Sequence, residues 1–219
     1  MLLISREPSY RTLEKFPWQD LKENLKTRVV LIIIIFLIII QLGGYIITAM
    51  LPLYLSLELK FNLSLVGIVM AAGSFGLFLG SLIAGPLLDK LSRKISLIIT
   101  IIFSFITIFL ITLIQNLIMA LIFILTAGIA AGFSQIAQLM VSMDVCKKSI
   151  NATMFSIYMS AYTLGLLLGA LIGAILVEIF GFRIAFMIGA LIVLLTLFLV
   201  ILIKDTENLF AEDLEAFHD

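Results

Sequence analysis

The chain has 219 residues, of which 63% are hydrophobic and only 13% charged, and its 14 basic residues balance 14 acidic ones. With a mean hydropathy of +1.25 this composition excludes a water-soluble domain, and no nucleic-acid partner is expected. The single cysteine, Cys146, and single histidine, His218, exclude a disulfide framework, a metal cluster and a Ser/His protease, so neither metal, cofactor nor enzymatic activity is expected.

Residues 1–28 form a polar leader. Its stretch RTLEKFPWQDLKENLKTR spaces Leu13, Phe16, Leu21 and Leu25 near helical intervals, with Trp18 among them and basic residues between. That pattern reads as an amphipathic helix lying at the membrane interface, the alternative being a disordered tail. The first apolar run is too long and begins too late to be a signal-peptide core, so no cleaved leader is expected.

Six apolar runs follow, Val29–Leu53, Leu65–Leu88, Ile95–Leu113, Leu117–Met143, Ile150–Val177 and Ile184–Ile203. Each is long enough to cross about 30 Å of hydrocarbon, and each must be helical because a lipid-exposed segment can satisfy its backbone only internally. Residues 29–203 are therefore an all-α transmembrane domain. Basic residues crowd the leader (Arg6, Arg11, Lys15, Lys22, Lys26, Arg28), the second loop (Lys90, Arg93, Lys94), the fourth (Lys147, Lys148) and Lys204, while only Lys60 and Arg183 fall on the other side. The positive-inside bias then puts both termini in the cytoplasm of a cell (plasma or inner) membrane. Residues 204–219 are an acidic cytoplasmic tail, expected to be solvated.

Polar residues inside the spans mark a candidate pathway. Gln41, Tyr45 and Thr48 share one face of the first span, and Gln135, Gln138 and Ser142 share one face of the fourth. In the fifth span Tyr158 and Tyr162 share a face, and Ser156, Ser160 and Thr163 another. Amides cannot face hydrocarbon without cost, so the glutamines face protein or water, either as hydrogen-bonded glue between helices or as solute contacts. Spans three and six carry few polar residues and read as lipid-facing. Glycines repeat every four residues in span two (Gly76, Gly80, then Ala84) and span five (Gly165, Gly169, Gly173), smooth faces suited to close helix packing.

An internal repeat orders these features. GLFLGSLIAGPLLDKLSRKI, from Gly76, aligns without gaps on GLLLGALIGAILVEIFGFRI, from Gly165, an offset of 89 (165 less 76). Gly76 and Gly80 meet Gly165 and Gly169, Asp89 meets Glu178, and Lys94 meets Arg183. The repeats run about 29–113 and 118–203. Three helices per copy is an odd number, so the copies have opposite topology, a construction common among secondary transporters.

The loop GPLLDKLSRK resembles the signature loop of the major facilitator superfamily (MFS) in Gly85, Asp89, Lys90, Arg93 and Lys94, with Ser92 standing where a second Gly is usual. MLPLYLSLELKFNLSLVGIVMAAGSFG and YTLGLLLGALIG are similar to other parts of the family pattern. The resemblance covers about 29–203 and implies one six-helix half of a twelve-helix secondary transporter, the N-terminal half in preference to the C-terminal. It further implies a gating role for the signature loop, above all Asp89, and a second half as partner, from another copy or a separate chain. The glycine faces of spans two and five would then lie on the surface where halves rock. The alternative function is a non-transporting assembly or regulatory protein, or a truncated fragment, derived from such a carrier. Since every Lys, Arg, Asp and Glu falls in a tail, loop or span end, no intramembrane group of this chain is at hand for proton coupling: either the carrier is a uniporter for a small neutral or amphipathic solute, or the titrating residue belongs to the second half. Neither the solute nor the direction of transport is specified by these residues.

Overall fold

The computed structural model describes residues 18–144 and 150–202. Among them the α-helices are α1 (Trp18–Lys26), α2 (Arg28–Leu53), α3 (Leu63–Leu88), α4 (Arg93–Ile111), α5 (Leu117–Asp144), α6 (Asn151–Phe180) and α7 (Phe182–Leu202). The six helices α2–α7 are long and apolar enough to cross a membrane, and a π-helical turn, Tyr54–Glu58, prolongs α2. Leu13, Phe16, Cys146, Lys147, Lys148, Lys204 and the acidic tail with His218 lie outside the described residues.

The helix ends follow local chemistry. Asn62 accepts from the amide of Leu65 at 2.8 Å to start α3, Ser92 accepts from Ile95 at 3.5 Å to start α4, and Asn116 accepts from Met119 at 2.9 Å to start α5. Gly181, at φ 81°, separates α6 from α7 in a conformation that side chains resist. Pro52 removes one backbone donor from the last turn of α2, and the chain continues as the wider π-turn, closed by Leu59 N–H donating to the Tyr54 carbonyl at 3.2 Å.

Short loops alternate the spans between two ends of the bundle, one holding Asp89 and Asp144, the other Glu58 and Arg183. One packed cluster unites Val30, Ile33, Leu97, Ile101, Met154 and Val200 toward the Asp89 end. A second unites Leu51, Tyr54, Val66, Ile114, Ile124 and Phe186 toward the Glu58 end. Leu21 of α1 belongs to the first cluster, so the apolar edge of this short helix turns into the bundle while Trp18 stays exposed.

The broadest helix contacts are α3 with α5 and α2 with α6; α2 with α7, α4 with α5, and α4 with α7 follow. Glycine makes the first two possible. A methyl group at Gly76 or Gly80 would collide with the carbonyls of Leu125 or Ile129 on α5, and one at Gly165 or Gly169 would lie 2.5 and 2.6 Å from the carbonyl oxygens of Ile38 and Leu42 on α2. Gly173 rests likewise on Ile46. These faces are consumed by packing inside the six-helix unit. That corrects the expectation that they form the rocking surface toward a second half: the small residues had already been matched by large helices of their own chain.

Candidate functional site

At mid-height, bordered by both clusters, lies a cavity of about 370 Å³ that draws residues from all six spanning helices. Gln41 and Tyr45 reach it from α2, Gln135 and Gln138 from α5, and Tyr162 from α6. Antiparallel placement of α2 and α5 brings the two polar faces together. Gln41 Nε2 donates to Gln138 Oε1 at 2.9 Å, and Gln138 Nε2 donates to Ser134 Oγ at 2.8 Å. Below them Ser142 Oγ donates to the Gln138 carbonyl at 2.7 Å. The two amides thus act as interhelical glue, while their remaining hydrogen-bonding atoms border the cavity. Gln135 is exposed to it.

Tyr158 stands apart from the proposed pathway. It is fully buried in the first packed cluster and does not line the cavity, because one helical turn before Tyr162 the face of α6 already turns onto packed side chains. Ser156, Ser160 and Thr163 are exposed on the outer side of α6, each hydroxyl donating to its own helix backbone.

Among the described residues of the spans, charge is confined to the two ends of the bundle. At the Asp89 end, Arg93 sits between Asp89, 3.9 Å away, and Asp144, to which its Nε donates, and it also touches Met140 Sδ at 3.8 Å. Helix α5 continues one residue past the Met143 end of the apolar run, far enough to deliver the Asp144 carboxylate to the first turn of α4. Gly85 lies in the last turn of α3 with open space beside it, Lys90 is exposed and Lys94 half-buried. At the other end Arg183, in the first turn of α7, lies 3.4 Å from Glu58 in the π-turn. Tyr54 closes the same end, donating to the Ile114 carbonyl at 3.2 Å and packing edge-on to Phe186 at 5.4 Å.

The family profile of the Major Facilitator Superfamily matches residues 9–216, nearly the entire chain. The chain belongs to the Major Facilitator Superfamily. A search among curated proteins returned no match. This superfamily member is a multi-pass membrane transport protein whose spanning helices surround a mainly apolar cavity set with amide and hydroxyl groups.

Ser74 of α3, and Ser104 and Thr107 of α4, also line the cavity of this MFS protein and were missed by sequence reasoning. A signal existed: Ser96, Thr100, Ser104 and Thr107 form one stripe along α4, and Ser96, Thr100 and Thr107 are buried. Helix α4 therefore turns its hydroxyl stripe inward, contrary to the lipid-facing expectation for span three, and α7 likewise contributes Val193 to the cavity. The stripe is a weak signal in sequence because Ser and Thr can bond to their own helix, as Thr107 does to the Phe103 carbonyl at 3.1 Å.

Proposed function

We propose that the chain is one six-helix half of a facilitator-type secondary transporter, built as an inverted 3+3 repeat, that moves a small uncharged solute by alternating access. The observation that carries this reading is the mid-height cavity, lined by amides and hydroxyls from helices on both sides of the repeat boundary and by no charged residue. Repeat symmetry is supported by the packing: exchanging α2 with α5, α3 with α6 and α4 with α7 converts the α3–α5 contact into α6–α2 and the α4–α5 contact into α7–α2. Each end of the bundle also carries one ion pair between corresponding helix ends, Arg93–Asp144 between the start of α4 and the end of α5 and Arg183–Glu58 between the start of α7 and the turn that prolongs α2, although Lys94 rather than Arg93 aligns with Arg183. The loop charges put the termini and the Asp89 end in the cytoplasm.

A second half completes the transport path. Only 17% of the apolar window of α6 and 22% of that of α3 is covered within the chain, against 44% for α2, which leaves α3 and α6 as the flanks open to that half. The signature loop gates by making and breaking the Asp89–Arg93–Asp144 contacts as the halves rock. Cysteines introduced at Ala71 and Thr163, both on exposed faces, should cross-link between copies in mild detergent, and the cross-linked unit should carry solute flux in liposomes. A species that stays single and carries no flux would contradict the reading.

A further inference from the structure

The cavity is graded along its length, and the grading selects its solute. Gln41, Gln135, Gln138 and Tyr162 lie at mid-height and toward the Asp89 end. Leu51, Met70, Ile111 and Ile124 line it toward the Glu58 end. The hydroxyls of Thr48, Ser74 and Thr107 are turned back onto their own helices, donating to the carbonyls of Gly44, Met70 and Phe103. Among the described residues, no protein group hydrogen-bonds the side chains of Gln135, Tyr45 or Tyr162. They keep donors and acceptors for a ligand.

We infer that the cavity binds an uncharged amphipathic solute, its hydrogen-bonding head at Gln135, Tyr45 and Tyr162 and its apolar body against Met70, Ile111 and Ile124. The inference rests on the reading of this cavity as the solute path and adds the class and the orientation of what fills it. An ionised solute would enter a wall offering no counter-charge and lose its hydration without replacement. A polyol without an apolar body would satisfy only the amide end and leave hydroxyls against aliphatic side chains. A second copy of the chain would bring the same uncharged wall to the opposite side.

Two uncharged amphiphiles test this against matched partners on the purified full chain: phenyl β-glucoside against phenyl glucuronide and glucose, and benzoylglycinamide against benzoylglycine and acetamide. Each neutral amphiphile should raise the unfolding midpoint saturably, by about 3 °C or more at ten times its half-saturating concentration. The carboxylates and the stripped head groups should give less than a third of that shift. Gln135→Leu and Tyr162→Phe each remove groups with no protein partner, so the unliganded midpoint should hold while half-saturation weakens at least fivefold. Equal shifts with the carboxylates or with glucose, no shift with either amphiphile, or shifts indifferent to both substitutions would overturn the inference. Binding without flux in liposomes from the same preparation would instead sink the transport reading and leave the ligand class standing.

Discussion

Gln41 on α2 donates an amide N–H to Gln138 on α5 at 2.9 Å, joining two residues that lie 97 positions apart in the chain. The acceptor amide passes its own N–H to Ser134, so the bond is one rung of a fixed, directional ladder. Removing one member leaves the next with an unmet group in a part-buried site. Gln138→Leu should therefore cost more than Gln41→Leu, each on the order of 1 kcal/mol, and the double substitution less than their sum by about 0.5–1.5 kcal/mol. Reversible unfolding in mixed micelles measures the cycle; strict additivity would mean that the rung contributes nothing.

Glycine-dependent packing gives a sharper expectation. Gly165→Leu and Gly169→Leu should abolish the folded, monodisperse protein, since their side chains would be built into the carbonyls of Ile38 and Leu42. Gly67→Ala, where nothing lies within 4 Å of the added carbon, should fold with an unchanged or slightly higher midpoint. Size-exclusion profiles of the three variants decide the matter. Normal folding of both leucine variants would contradict the crossing.

The charged ends should oppose one another. In a Cys146→Ser background, Asp89→Asn and Asp144→Asn loosen the Arg93 contacts at one end, whereas Glu58→Gln loosens Arg183 at the other. Because Arg93 and Asp144 are 38% and 33% exposed at the side chain, each change should cost no more than about 1 kcal/mol of stability. Its effect should appear instead in maleimide labelling of Thr48→Cys, rising from the Asp89 side for the first pair and from the Glu58 side for the third. Labelling that moves the same way in all three would count against opposed gates.

Span number and helix type were legible because apolar run length and backbone satisfaction leave no other solution, and the span ends agree to within a few residues outside the π-turn. Periodicity also brought Gln41, Tyr45, Gln135, Gln138 and Tyr162 to one cavity. It failed for Tyr158, since two residues four apart share a helix face without sharing a depth in the bundle. It failed for the glycines for a different reason. A smooth face announces close packing but not its partner, and in a chain this rich in Leu and Ile the sequence pattern does not distinguish α5 from a second half. The Ser96–Thr107 stripe of α4 was readable in spacing but weak in chemistry, because each hydroxyl has its own helix as an alternative partner.

Energy coupling tests the account most directly, since no Asp, Glu, His, Lys or Arg lines the cavity. The measurement uses liposomes holding only this chain, its assembly verified by the Thr163→Cys cross-link, an internal pH-sensing dye and a radiolabelled solute that the binding series has identified. The account predicts uptake that stops at equal concentrations, is indifferent to an imposed pH gradient and leaves the internal pH unchanged. Accumulation driven by that gradient, with matching proton entry, would contradict it.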